Sequence, residues 1–363
     1  MSKLATDILR IFSITFIIIN HTGWWFFSEV GTYYERELSH VIAWMNQLGK
    51  PSVLFFIFLS GYAFGRHRLN QNFDTGRFYL HRFLRIWIPY FLVSVIYYLD
   101  NGTSADHFWW GILTGAHKYH LYFIPLISIL YAIFPLLRKI PFSWNYLFMF
   151  FGVLVMVHIF ASDYQDYPIF LGWQTDFTDA VFASKYYNME PYEMLIFSLF
   201  FFQLGLWSAR EGKMPGTEFL EKHISVLSKT IFRFVLLLIF FGWTILDYYM
   251  RVSDGMSSDP AGRIWRIPVV FYAISVIFFM QNMLTRIQSD IIGRLSRASF
   301  LVYLIHPFIL DYFRLWDVPI LCLSVIIVSW VLGYLATIIS GKSIILGILL
   351  GDGDKVLRKY LVK

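Results

Sequence analysis

Apolar runs of about 20 residues recur along the whole chain, the length an α-helix needs to cross a hydrocarbon core of roughly 30 Å. Lipid offers the backbone no hydrogen-bond partners, so helices are the structures such runs can form there. We read about ten candidate spans of this kind. They cover residues 8–27, 50–65, 79–99, 119–137, 144–161, 191–209, 231–250, 267–284, 298–314 and 318–340. The second and ninth are short for a full crossing. The first reads as a retained span, because its apolar run is long and no small-residue cleavage site follows. Composition closes off the soluble alternatives. Only 15% of the 363 residues are charged, against 57% apolar and 20% aromatic, whereas a soluble globular chain carries about 25% charged residues. The expectation is an all-α, polytopic integral membrane protein. Residues 1–340 would form a single transmembrane domain, and 341–363 a short tail.

Charge sets the expected orientation. The net charge is +6 and the isoelectric point about 9.2, values that would suit a nucleic-acid binder in a soluble chain. Here the basic residues gather in alternate connections: 1–10, 66–85, 138–143, 210–233, 285–297 and 341–363. Glu29, Glu35, Glu37, Asp100, Asp106, Asp163, Asp166, Asp176 and Asp179 fall in the intervening ones. Basic residues flank spans on the cytosolic side, so both termini are expected in the cytosol and the basicity calls for no nucleic acid. The connections 28–49 and 162–190 are long enough to meet a substrate. The second is rich in aromatics and Asp, a mixture that suits a sugar and equally an aromatic interface belt. The single cysteine, Cys322, excludes an intrachain disulfide and a cysteine-based metal cage.

Ionisable groups at membrane depth are costly and each calls for a reason. Arg10 and His21 lie 11 residues apart on the first span, which is about 20° short of or past whole turns and a rise of about 16 Å. They therefore share a face, Arg10 toward the cytosolic end and His21 in the outer half. Singly, a snorkelling arginine and an interfacial histidine beside Trp24 and Trp25 would account for them. Arg66, His67, Arg68, Arg77, His81, Arg82 and Arg85 form a basic stretch, with Arg82 and Arg85 on one helix face. It suits a phosphorylated ligand, and also ordinary cytosolic bias with anionic lipid. Ser60 and Gly61, within Phe55 to Tyr62, permit a close helix approach or a narrow ligand passage. His306 with Pro307 marks a locally opened helix, and His120 opens the fourth span. No histidine pair has helical ligand spacing with an acid partner, so no metal site is expected.

In this order along the chain, the residues resemble acyltransferase family 3, membrane proteins that O-acylate bacterial envelope glycans. Arg10, ten residues, then His21 matches that family's first-helix signature, with Asp7 in place of the acid commonly found three residues before the arginine. Phe55 to Tyr62 is similar to its Phe-Phe-x-x-Ser-Gly-Phe motif, with one extra residue before Ser60. His81 to Tyr90 is similar to its basic segment ahead of the third helix, and His120-Leu121-Tyr122-Phe123 to its His-Leu-Trp-Phe element. Ser299 to Phe308 is similar to its late Tyr-Leu-Ile-His element, except that Pro307 follows the histidine directly. Gln203-Leu204-Gly205 sits where the family often has a glycine. The chain resembles the stand-alone members, which carry no appended hydrolase domain.

The resemblance implies acyl-CoA, acetyl-CoA by default, as donor substrate, with no permanently bound cofactor. It implies a glycan or lipid-linked saccharide hydroxyl as acceptor, in the inner membrane. CoA phosphates would rest on Arg66, Arg68, Arg82 and Arg85, and the pantetheine arm would pass Ser60 and Gly61. His21 would take the acceptor proton. Arg10 would hold a phosphate or fix the helix through Asp7. His306 and His120 would orient the acceptor or stabilise the oxyanion. Transfer through a covalent acyl group on Tyr62 or Tyr303 stays open, as does a proton-coupled transporter or glycan flippase without acyl transfer.

Overall fold

The structure, a computed structural model, describes residues 1–25, 36–65, 73–101, 108–162, 195–215, 226–253, 266–281, 289–313, 318–340 and 342–351. All regular elements among these residues are helical. In chain order they are α1 (Lys3–Trp25), α2 (Arg36–Gly49), α3 (Ser52–Gly65), α4 (Thr75–Arg82), a π-helical turn (Phe83–Trp87), α5 (Ile88–Asn101), α6 (Phe108–Thr114) and α7 (Phe123–Leu137). There follow α8 (Trp144–Ser162), α9 (Leu195–Glu211), α10 (Val226–Ser253), α11 (Ile267–Met280), α12 (Asp290–Phe313), α13 (Val318–Ser340) and α14 (Ile344–Leu349).

Among the described residues, each apolar stretch singled out from the sequence overlaps a helix. Among the described residues five helical stretches are long and apolar enough to cross a membrane: Lys3–Gly23, His40–Gly65, Thr75–Asn101, Ser228–Ser253 and Ile320–Ser340. Phe123–Leu137, Trp144–Met156 and Ile267–Met280 are apolar but shorter. The chain is a multi-pass membrane protein.

The helices pack as two compact units. The first comprises Met1–Arg68 and Phe201–Leu335, the second Leu69–Phe200 and Ala336–Lys363.

In the first unit α1 is the central helix, packed on α2, α3 and α12. Helix α2 occupies much of the connection 28–49 that the sequence suggested as an outer loop. Its polar Asn46 and Gln47 are buried, which is why a search for uniformly apolar runs passes it by. It ends at Gly49 because Pro51 supplies no backbone N–H and disfavours helical geometry at Lys50. The Ser52 hydroxyl donates to the Gly49 carbonyl across this break, at 2.6 Å. The α2–α3 stretch is thus a 26-residue apolar run with a break in its middle.

Helix α3 meets α9 backbone to backbone. A Cβ on Gly61 would lie 2.9 Å from the Phe202 carbonyl carbon and nearer still to its oxygen. Gly65 faces Leu206 and Ala209 in the same way, and Gly205 faces Phe58 and Tyr62. Small residues permit such approaches where lipid supplies no hydrophobic drive for association. Of the two uses the sequence allowed for the Ser60-Gly61 step, the close approach is therefore the one Gly61 displays. Elsewhere in this unit, Trp330 on α13 donates to Thr15 on α1 at 3.1 Å.

In the second unit, α4 begins at Asp74, whose carboxylate accepts from the Arg77 N–H at 2.9 Å. It runs through the π turn into α5. Tyr90 on α5 donates to the Ile112 carbonyl of α6 at 2.6 Å. The chain reverses after α6 at Gly115, where φ is +79°. A side chain there would strain the backbone.

Candidate functional site

The first unit holds a polar seam along α1 and α12. At one end Asp7 is buried at 7% exposure. It accepts a 2.6 Å hydrogen bond from Ser296 of α12 and stands 3.8 Å from the Arg10 guanidinium. At the other end the His21 and His306 rings stack at 5.3 Å between centroids, with 19° between planes. Both contacts advance in the same direction along the two helices, so α1 and α12 run parallel.

His21 is half-buried, and the ionisable groups near enough to act on it are His306 and Lys50. Lys50 sits at the break between α2 and α3. It escaped the sequence reading because it lies at the edge of a short span, where a lysine looks like an anchor. His306 is fully buried. Its Nδ1 stands 2.8 Å from the Tyr303 carbonyl oxygen and 3.3 Å from that of Val302.

Arg10 and Asp7 therefore meet at one end of the seam, and His21 and His306 at the other. The Arg10–Asp7 contact lies within α1, one turn apart. Ser60 is half-exposed, one residue before the Gly61 crossing.

The remaining candidates belong to the second unit or lie outside the described residues. His120 is 1% exposed and packs edge-on against Tyr97 and Tyr119, each at 5.7 Å. Three residues earlier, His117 is also buried. It lies 3.0 Å from the Phe108 carbonyl, and burial lowers its pKa below the ordinary histidine value.

Arg82 lies over Phe78 at 5.7 Å and Tyr131 at 6.0 Å. A second arginine, Arg138, lies over Phe73 at 4.4 Å. Phe134 joins the two through contacts of 5.5 Å to Phe73 and 5.1 Å to Phe78. Arg85 follows in the π turn. Arg138 is a member of this cluster that sequence spacing could not find, since it sits more than 50 residues from Arg82. Arg66, His67 and Arg68 lie outside the described residues, as does the aromatic connection 163–190. Among the described residues, no group of three or more His, Cys, Asp or Glu is arranged to hold a metal ion.

Comparison with known proteins gives the family. The model for the acyltransferase domain of family 3 matches residues 4–345, nearly the whole chain and both ends of the α1–α12 seam. The chain belongs to acyltransferase family 3. Within it, the chain is similar to proteins from Staphylococcus aureus strains MSSA476, MRSA252 and MW2 named probable poly-beta-1,6-N-acetyl-D-glucosamine export proteins. Each is 25% identical over 248 residues, covering 67% of this chain. The match spans 65% of those relatives' length. No solved structure matches the chain. Membership in a family named for an acyltransferase domain is what gives the polar seam its interest.

Proposed function

We propose that this protein is an O-acyltransferase of the cell's inner membrane. It moves an acyl group, acetyl by default, from acyl-CoA to a hydroxyl of an envelope polysaccharide or lipid-linked sugar. The observation that carries the reading is the stacked His21–His306 pair on two parallel helices of a family 3 chain.

In the proposed step the acceptor oxygen attacks the thioester carbonyl carbon while its proton passes to the His21 imidazole. The tetrahedral adduct collapses, the carbon–sulfur bond breaks, and the sulfur of CoA takes the proton back from His21. General-base help of this kind contributes about 10²- to 10⁴-fold. The Asp7–Ser296 contact holds α1 in register with α12, and so holds the two imidazoles face to face.

The arginines of the second unit suit the donor's phosphates. A guanidinium resting on a ring is oriented without losing its charge, and phosphate is the anion its planar fork matches. Arg82 and Arg85 take this part, and Arg66 and Arg68 stay proposed contacts of the donor phosphates on the ground of sequence alone. Ser60 keeps its place as a candidate contact for the pantetheine arm.

The test uses inverted membrane vesicles carrying wild-type or His21→Ala protein and labelled acetyl-CoA. Label entering envelope glycan with the wild type and vanishing with the variant supports the reading. Equal labelling by both proteins, at equal expression, would remove His21 from the chemistry. A second reading is favoured by the printed name of the S. aureus relatives, which describes glycan export. In that case vesicles would accumulate or release glycan without consuming acetyl-CoA or succinyl-CoA.

A further inference from the structure

The sequence departs from the family's late motif at one point, where Pro307 follows His306 directly. The structure shows a consequence of that step. In an α-helix the N–H of residue 307 would donate to the carbonyl of residue 303. Proline has no N–H, so position 307 donates no backbone hydrogen bond to the Tyr303 carbonyl inside α12. The Nδ1 of His306 stands 2.8 Å from that same oxygen. A carbonyl only accepts, so Nδ1 is the nitrogen that carries the hydrogen.

A neutral imidazole has one N–H and one lone pair. With the N–H spent on Tyr303, the other nitrogen, Nε2, is an acceptor. This ring belongs to the stacked pair with His21 and is fully buried.

We propose that Pro307 is a positioning residue that fixes His306 as the Nδ1–H tautomer. His306 thereby serves the reaction as a hydrogen-bond acceptor for a hydroxyl of the sugar, and not as a donor to the oxyanion. The inference rests on the acyltransfer reading and decides between the two uses the sequence left open for His306. An oxyanion needs a donor, and the only donor of the neutral ring is already committed. A sugar offers several hydroxyl donors. One gives its proton to His21, and a neighbouring hydroxyl hydrogen-bonds to Nε2 of His306, with no further bond made or broken.

The experiment has two arms. In the first, protein labelled with ¹⁵N-histidine is reconstituted in liposomes and studied by solid-state NMR, and the His306 signals are found by subtracting the spectrum of a His306→Phe variant. The expected result is a protonated Nδ1 with a bare Nε2 in the wild type. In Pro307→Ala a backbone N–H reclaims the Tyr303 carbonyl, and the Nε2–H form appears. A wild-type ring protonated on Nε2, or a spectrum unchanged in Pro307→Ala, overturns the proposal whatever the enzyme's activity.

The second arm measures glycan labelling against acetyl-CoA hydrolysis by water, in vesicles. Losing one neutral hydrogen bond to the sugar lowers the ratio of transfer to hydrolysis by roughly 3- to 10-fold in Pro307→Ala. Equal losses in transfer and hydrolysis would assign His306 to the oxyanion instead and overturn the proposal. If the wild type consumes no acyl-CoA, the acyltransfer reading falls and takes the sugar role of His306 with it, while the tautomer is still judged by the first arm.

Discussion

The two units hold several of their ionic groups differently, although Arg233 of the first also lies over a ring, that of Phe278, at 4.4 Å. In the first, polar groups meet polar groups. Asp7 is held by Ser296 and faces Arg10. Arg266, 2% exposed, reaches Asp247 at 2.5 Å and also binds the Gln47 side chain. His306 is hydrogen-bonded to its own helix. In the second unit Arg82 lies over Phe78 and Tyr131, and Arg138 over Phe73. A hydrogen-bonded pair fixes geometry, and inside a membrane it offsets much of the cost of desolvation. A cation over a ring keeps its full charge. The first arrangement suits a place where atoms must be aligned for chemistry. The second suits a place where an anion is to be held.

The largest effect that would test this contrast is at His21. His21→Ala should lower acyl transfer by about 10²- to 10⁴-fold while leaving the protein folded. The check is labelled-acyl transfer set against the melting temperature in detergent. A fall in both would make His21 a packing residue and dissolve the functional side of the comparison.

Next in size is Gly61→Ala. The added Cβ meets the backbone of Phe202, which cannot swing aside as a side chain can. Destabilisation of about 1–3 kcal/mol is expected, read as a lower melting temperature. An unchanged melting temperature would mean that the α3–α9 crossing is looser than the glycines imply.

Arg82→Ala belongs to the second unit and should act on binding. An increase of about tenfold in the KM for acyl-CoA, the equivalent of about 1.4 kcal/mol, is expected with kcat little changed. A fall in kcat at constant KM would move the chemistry toward the arginine cluster and break the proposed division of labour.

The smallest effect is at Gly152 on α8, where an added Cβ meets nothing within 4 Å. Gly152→Ala should stabilise the helix by about 0.5–1 kcal/mol, a modest rise in melting temperature. Together with Gly61→Ala it separates glycines that serve close packing from one that does not.

Much of the architecture can be read locally. Every helix that carries an expected span announces itself as an apolar run, because burial in lipid is decided residue by residue over about 20 positions. Arg10 and His21 were legible for the same reason: helical periodicity is a local property. Helix α2 was not, since Asn46 and Gln47 look like loop residues until α1 and Arg266 are in place to meet them. Lys50 and Arg138 were passed over because each taken alone is an ordinary basic residue at the end of a span. The Ser60-Gly61 step could be read two ways, and it needed Phe202 from another helix to show what Gly61 faces.

By itself, then, the sequence determined a helical membrane protein and the order of its polar motifs. It determined as well the His306-Pro307 step, whose hydrogen bond to Tyr303 is confined to one turn of one helix. Tertiary structure decided which of those motifs meet. Ser296 reaches Asp7 across 289 positions of chain, and His306 stacks on His21 across a similar span. Such pairings depend on how helices choose neighbours, and that choice is made by shape and polar matching between side chains that no local pattern brings together.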